Sequence, residues 1–332
     1  MLNYIGHRVL QLIPLLIAIT IITFITIKLP PGDFLTTYIQ QLKLSGNAVS
    51  QSQILSLQHL YGLDQPAYMQ YLDWMKNILT KGDLGYSFGW NEPVSQVIGE
   101  RLGLTMLISI LTLIFVWVVS IPIGIYSATH QYSILDYIIT FIGFIGLAVP
   151  GFLLALVLVY VVFVHTGVAI TGLFSGHYQD AVWSMGKFLN MMSRIWLPVI
   201  IIGMSGTAGL IRVMRGMLLD ELQKQYVITA RAKGVKERKL LFKYPVRMAI
   251  NPLISTIGWT LPAIISGEAI VSIVLNLPTT GPILLKALMT QDMYLAGSFV
   301  LILSVLTVIG TLLSDILLAW VDPRIRFGGV QE

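Results

Sequence analysis

The hydrophobic positions of this sequence fall into long apolar runs that are separated by shorter polar stretches. A helix needs about 20 mostly apolar residues to cross roughly 30 Å of hydrocarbon. Only helices satisfy the backbone of such runs inside lipid, because no water is available to bond with it. We therefore predict an all-α integral membrane protein with six transmembrane helices, over residues 9–29, 102–128, 136–164, 195–213, 249–275 and 294–321.

Composition agrees with this pattern. The 332 residues are 55% hydrophobic and only 11% charged, whereas soluble domains carry about 25% charged residues. The first apolar run follows His7 and Arg8 and resembles a signal peptide in that respect. It is longer than the usual signal core of about 7–15 residues, and no small-residue cleavage site follows it. We expect it to be retained as a transmembrane helix.

The basic residues are concentrated in one connection. Ten of the 21 Lys and Arg lie between Arg212 and Arg247, against three acidic residues. Short connections rich in Lys and Arg stay on the cytoplasmic side, so this loop and both termini are predicted to be cytoplasmic. The net charge of +5 is thereby explained by topology, and no nucleic-acid partner is expected. The absence of cysteine excludes disulfides and thiolate chemistry.

The stretch 30–100 is predicted to lie outside the cell and to be partly helical. Helical apolar spacing occurs over residues 51–61 and 68–79, with a Gly- and Pro-containing turn between them. This segment is either a packed cap or a docking surface for an external partner. The predicted domains are an N-terminal helix (1–29), this extracytoplasmic segment (30–100), a five-helix domain (101–321) with a cytoplasmic loop at 214–248, and a cytoplasmic tail (322–332).

The cytoplasmic loop carries a distinctive pattern. Residues 219–233 are predicted to form one helix with Leu222, Tyr226, Ala230 and Lys233 along one face, and Gly234 is predicted to end it. A second short helix is predicted over residues 236–243. A basic loop held by anionic lipid would explain the charge. It would not explain two helices joined at a glycine with small side chains beside the break. Such small side chains favour close approach by another protein.

Residues 226–234 (YVITARAKG) resemble the coupling-helix motif of binding-protein-dependent ABC importer permeases, in the dipeptide, oligopeptide and nickel branch. Further resemblances to that branch follow in order along the chain: PGD at 31–33, GDLGYS at 82–87, EPV at 92–94, ERL at 100–102, LPTTG at 277–281, QD at 291–292 and DPRIR at 322–326.

The resemblance implies a type I importer permease fold in a prokaryotic inner membrane. It also implies a second homologous permease, two cytoplasmic ATPase subunits that hold the ATP and Mg²⁺, and an external solute-binding protein. The implied cargo is a peptide, with nickel, glutathione or an oligosaccharide as alternatives. The implied ATPase contact comprises Tyr226, Thr229, Ala230, Arg231, Ala232, Lys233 and Gly234, and candidate contacts with the binding protein are Asp83, Tyr86 and Asp292.

Glu268 lies within the fifth apolar run. A carboxylate within an apolar run is costly and usually faces a cavity or a partner. Glu268 therefore lines the pathway, bonds across a helix interface or lies near the outer edge of its span. This chain has Ser272 where many peptide-branch members have a glutamate. Candidate pathway or gate residues are Glu268, Ser272, Pro150, Phe152 and Trp259.

Other classes of function have less support. No GxxxxGK[ST] loop is present, because Gly186 and Lys187 are followed by Phe188, so no ATP site is expected in this chain. The five histidines have no zinc-ligand spacing, and no cofactor, metal or catalytic cluster is predicted. The alternative of an ion-gradient-driven secondary transporter requires a repeat in the two halves of the chain, and none is visible.

Overall fold

The computed structural model describes residues 2–29, 64–87, 89–167, 171–179 and 181–321, and these are almost entirely helical. The helices are α1 (Leu2–Lys28), α2 (Ala67–Lys81), α3 (Val94–Thr129), α4 (Ile134–Ala148), α5 (Gly151–Thr166), α6 (Met185–Leu222), α7 (Gln225–Ala232), α8 (Glu237–Lys243), α9 (Pro245–Ala249), α10 (Asn251–Ser255), α11 (Ile257–Val274), α12 (Thr280–Met289) and α13 (Met293–Val321).

Within those ranges, the only sheet is a hairpin of two short strands, β1 (Tyr86–Ser87) and β2 (Glu92–Pro93), which pair antiparallel. The predicted all-α class is therefore confirmed. The predicted helix at 68–79 is confirmed as α2, whose C-terminus is closed by Gly82 in the left-handed region, with φ of 66°. The predicted helix at 51–61 and the motifs at 31–33 and 322–326 lie outside the described residues.

Three helices of the described chain are long and apolar enough to cross a bilayer: α3, α6 and α13. The pair α4 and α5 passes the same test together, which gives up to four spans. Shorter apolar helical stretches lie at Ile13–Thr26 and Ala263–Val274, within the first and fifth predicted spans. The count of six spans therefore stays a prediction.

The third predicted span is not one straight helix. Its two halves, α4 and α5, meet at an angle of 108°. Pro150 caps the N-terminus of α5, one residue before Gly151, and has no N–H to donate; Val149 before it is extended, with φ of −87° and ψ of 122°. A residue that precedes proline is driven out of the helical region by the proline ring, so the helix ends here.

The chain divides into two compact units. In the unit that contains Thr105–Pro278, α6 is the central helix and packs closely on α3. A side chain at Gly124 of α3 would lie 2.7 Å from Met214 Cβ, and one at Gly203 of α6 would lie 2.8 Å from the ring of Phe115. These glycines allow the two helix backbones to approach. The second unit contains the described parts of Val9–Leu104 together with Thr279–Leu306.

In the second unit, α2 packs against the N-terminal helix through aromatic side chains. Trp74 is buried and donates from Nε1 to the carbonyl oxygen of Leu84 at 3.2 Å. The ring of Tyr71 meets Phe24 edge to face, and its hydroxyl lies 2.9 Å from Thr20 Oγ1. This packing fixes α2 as a helical cap of this unit.

Candidate coupling loop, docking hairpin and membrane sites

The predicted single helix over 219–233 is wrong, because α6 ends at Leu222 and α7 begins at Gln225. The turn is closed by backbone bonds from Gln223 N to Asp220 O and from Lys224 N to Glu221 O, and Lys224 is extended, with ψ of 146°. The change of direction lets Val227, the buried residue of α7, reach full burial. Burial of this side chain overrides the helical spacing that continues across the break.

A side-chain contact bridges this break. The hydroxyl of Tyr226, in the first turn of α7, donates a hydrogen bond to the carboxylate of Glu221, in the last turn of α6. Burial raises the pKa of Tyr226, and the neighbouring Glu221 carboxylate raises it further. The phenol is therefore neutral at physiological pH, and it fixes the angle at which α7 leaves α6.

The C-terminus of α7 is closed by a Schellman motif at Gly234. Gly234 has φ of +74°, its N–H donates to Arg231 O at 3.0 Å, and the N–H of Val235 donates to Ala230 O at 3.3 Å. This is the pair of bonds that a left-handed residue after a helix makes. The prediction that Gly234 ends the helix is thereby confirmed, and the predicted second helix is present as α8.

An ion pair spans the glycine. Arg231 donates from Nε and Nη2 to the two carboxylate oxygens of Glu237, at 2.5 and 3.2 Å. The guanidinium lowers the pKa of the Glu237 carboxyl below its usual range. The turn between α7 and α8 is thus held both by its backbone and by its side chains.

Most of the predicted ATPase contact is open to a partner. Thr229, Arg231, Ala232, Lys233 and Gly234 are exposed, Tyr226 is 40% exposed, and Ala230 is half-buried.

The base of this loop is packed into the unit. Leu240 is fully buried, and Val246 of α9 belongs to a buried apolar cluster with Met214 and Leu218 of α6. The loop therefore offers an exposed helical surface on a rigid apolar base.

The three residues predicted to contact a binding protein lie in the second unit and differ in exposure. Asp83 is exposed and Tyr86 is 37% exposed, whereas Asp292 is fully buried. The Asp292 carboxylate accepts bonds from Ser87 Oγ at 2.6 Å and from Gly89 N at 3.0 Å. Asp292 therefore holds the hairpin in place and presents no side-chain surface to a partner, while Asp83 and Tyr86 stay predicted contacts.

Glu268 of α11 is buried, with 1% of its surface exposed. Its carboxylate oxygens lie 3.4 Å from Ser109 Oγ of α3 and 3.3 Å from Ser272 Oγ, one turn further along α11. Two of the five predicted pathway residues, Glu268 and Ser272, are thus brought together, and they face another helix. This geometry matches the alternative of a bond across a helix interface.

A cavity of about 510 Å³ lies in the same unit, between α3, α5, α6 and α11, with Thr256 contributed by the junction of α10 and α11. Of the four predicted pathway residues whose side chains the structure describes, none is among its lining residues, although Gly151 beside Pro150 is. The lining is uncharged: Val116, Trp117, Gly151, Ile201, Ile202, Ser205, Gly206, Gly209, Leu210, Val213, Thr256, Thr260, Ala263, Ile264 and Val271.

Comparison with known proteins decides the class of this membrane protein. Residues 120–327 match the family described as binding-protein-dependent transport system inner membrane component, and residues 1–110 match the N-terminal component of the same system. The chain belongs to this permease family. It is therefore a multi-pass inner membrane protein of the ABC importer class, and the predicted resemblance is confirmed.

Relatives of the permease extend over its whole length. It is 37% identical to the oligopeptide transport system permease protein AppB of Bacillus subtilis, over 98% of this chain and 100% of the relative. It is 33% identical to a putative peptide permease protein of Brucella suis and 28% identical to the dipeptide transport system permease protein DppB of Escherichia coli, in each case over 98% of this chain and 99% of the relative.

One polar site of the permease was not found from sequence. Asp136 lies in the first turn of α4, and its buried carboxylate accepts bonds from Arg215 of α6, at 3.3 and 3.1 Å, and from Ser127 of α3. The 79-residue separation between Asp136 and Arg215 hides the pair from any local pattern. No group of three or more His, Cys, Asp or Glu suited to a metal ion occurs in the part of the permease that the structure describes.

Proposed function

We propose that the permease forms half of the translocation pathway of an ATP-driven peptide importer. In this proposal a second, homologous permease supplies the other half, two cytoplasmic ATPase subunits dock beneath, and an external binding protein delivers the peptide. Both termini lie in the cytoplasm. The family match supports a transport system that contains several subunits, and the relatives named for peptide transport favour peptides as cargo.

The observation that carries the proposal is the construction of the loop from Tyr226 to Gly234. A short exposed helix is fixed at one end by the Tyr226 contact with Glu221 and at the other by the Schellman turn. Beyond Gly234, Leu241 and Val246 pack with Leu218 in one apolar cluster, which ties the following part of the loop to the long helix α6. A rigid, exposed helix joined to a membrane-crossing helix can transmit a displacement imposed by a cytoplasmic partner.

The lining of the cavity favours a peptide over a bare metal ion as the cargo. Divalent transition metals take nitrogen, sulfur or carboxylate ligands. The described lining of the 510 Å³ cavity consists of apolar residues, the hydroxyl-bearing Ser205, Thr256 and Thr260, and Trp117, whose indole N–H can donate a hydrogen bond but cannot ligate a metal ion. Such a wall suits the passage of a peptide without tight binding. Selection among peptides then falls to the external binding protein.

Reconstitution tests this function. The two permeases are placed in liposomes with or without the ATPase subunits, and uptake of a labelled oligopeptide is measured with the binding protein outside and ATP inside. We expect uptake only when the ATPases and ATP are both present, and no competition by Ni²⁺. Uptake by the permeases alone under an ion gradient would show a secondary transporter instead. Uptake of Ni²⁺ in place of the peptide would contradict the proposal that the cargo is a peptide.

A further inference from the structure

Helices α4 and α6 run antiparallel and are joined at two levels. At the lower level Asp136, in the first turn of α4, pairs with Arg215, seven residues before the end of α6. The Asp136 carboxylate is also held by the hydroxyl of Ser127 and by the N–H of Tyr132, at 3.1 Å. A buried carboxylate with this many donors is fixed in position.

The upper level is a close approach of backbones. A side chain at Gly146 of α4 would lie 3.5 Å from Met204 O and 3.6 Å from Ala208 Cβ of α6, and one at Gly143 would lie 3.9 Å from the same Ala208 atom. Small residues at a helix interface allow this kind of packing in membranes. The two helices are therefore packed against each other along most of the length of α4.

The upper end of α4 leads to the cavity. Beyond the break at Pro150, Gly151 lines the cavity together with Gly206 and Gly209 of α6. A side chain at Gly151 would lie 3.5 Å from Val271 of α11, another lining residue. A displacement of α4 thus reaches the cavity wall through a single sharp turn of the chain.

We propose that Asp136 and Arg215 are positioning residues that make α4 move together with the coupling end of α6. This inference rests on the proposed function. A partner that displaces α7 moves the lower end of α6, because the two helices are joined by a turn of two residues and by the contact of Tyr226 with Glu221. The ion pair carries α4 with it, and Gly151 moves at the cavity. Without the pair, α6 can move while α4 lags behind, so that ATP is hydrolysed without passage of the peptide.

The test compares two rates in the same reconstituted complex: peptide uptake and binding-protein-stimulated ATP hydrolysis. For Asp136→Asn and Arg215→Met we expect the number of peptides transported per ATP to fall at least fivefold, while hydrolysis stays within about twofold of the wild type. Arg215→Lys keeps the positive charge and is expected to retain most of the transport ratio. Ser127→Ala leaves the ion pair in place and is expected to lower the ratio less than either charge deletion.

Arg194→Gln is the matched control. It removes a guanidinium from the first half of α6 and leaves Arg215 and the other partners of Asp136 in place. Copurification of the ATPases with each variant establishes that the complex is assembled. An unchanged ratio in assembled Asp136→Asn and Arg215→Met complexes, or a proportional fall of both rates, would overturn the inference. If the wild-type complex shows no ATP-driven uptake, the proposed function itself fails, whatever the variants do.

Discussion

The guanidinium of Arg231 and the carboxylate of Glu237 form a two-bond ion pair across Gly234, at 2.5 and 3.2 Å. Both side chains are largely exposed, at 49% and 65%. Exposed ion pairs contribute little to stability, so the value of this pair lies in the orientation that it gives to α7 and α8. It holds the two short helices at a fixed angle where the cytoplasmic partner is proposed to bind.

Gly234→Ala is expected to disturb this turn. Its backbone has φ of +74°, and a Cβ in the left-handed region costs roughly 1–2 kcal/mol. Nothing lies within 4 Å of that Cβ position, so the effect is conformational and not steric. We expect Gly234→Ala to lower ATP-driven uptake several-fold and Gly234→Asn to lower it less, because asparagine tolerates this region.

Gly216→Ala provides the control for that series. Gly216 lies in the helix α6 with nothing within 4 Å of its Cβ position. Alanine has a higher helix propensity than glycine. Uptake by Gly216→Ala should equal or exceed the wild-type rate. Equal uptake by the wild type, Gly234→Ala and Gly234→Asn would show that the Schellman turn has no part in coupling.

The pKa of Glu237 is expected to depend on Arg231. The guanidinium lowers the pKa of this carboxyl. The contribution of the ion pair to the stability of the turn is therefore fully present above the usual pKa of glutamate, and it is lost as the pH falls through the lowered pKa. Arg231→Gln should raise the pKa of Glu237 back towards the usual range of a glutamate side chain. A carboxyl-labelled NMR titration measures this shift, and Arg238→Gln is the control that leaves the partner in place.

Asp292→Asn is expected to loosen the outer hairpin. The carboxylate accepts from Ser87 Oγ and Gly89 N, and loss of one charge-assisted bond in a buried site costs about 1.5–3 kcal/mol. Amide hydrogen exchange over residues 84–93 should become faster, with little change in the rest of the second unit. Ser87→Ala should give the same effect to a smaller extent. Unchanged protection of this stretch in Asp292→Asn would contradict the anchoring role.

Filling the cavity is expected to block passage of the peptide. Gly209 lines the cavity and has nothing within 4 Å of its Cβ position, so Gly209→Trp can be accommodated only by occupying the space. Uptake should fall at least tenfold, and the ATPases should still copurify. Gly103→Trp, at an exposed glycine of α3 with equally open surroundings, should leave uptake within about twofold. Normal uptake by Gly209→Trp would exclude this cavity from the pathway.

Structural features that depend on residues close together in the chain could be predicted from the sequence. Apolar runs predicted the spanning helices α3, α6 and α13, and Gly234 predicted the end of α7, because both signals reside within one turn or one helix. The prediction of one span over residues 136–164 did not include the 108° angle between α4 and α5.

Contacts between distant parts of the chain could not be predicted. The break after Leu222 places Val227 in a buried site, and Gln223 and Lys224 are themselves good helix formers, so no local signal marks it. The burial of Asp292 and the pairing of Asp136 with Arg215 join residues 205 and 79 positions apart. Such contacts are set by the tertiary fold, and sequence periodicity does not contain them.

The most direct test of the account is a photocrosslink from α7 to the ATPase. The chain contains no cysteine, so Thr229→Cys gives the permease a single thiol to carry a maleimide photocrosslinker. Leu79→Cys on α2, 77% exposed, is the matched control. We expect an adduct between position 229 and an ATPase subunit in the active complex, and none from position 79. An active complex with no adduct at 229, or labelling of that cysteine by an impermeant maleimide outside intact cells, would contradict the binding of a cytoplasmic ATPase to α7.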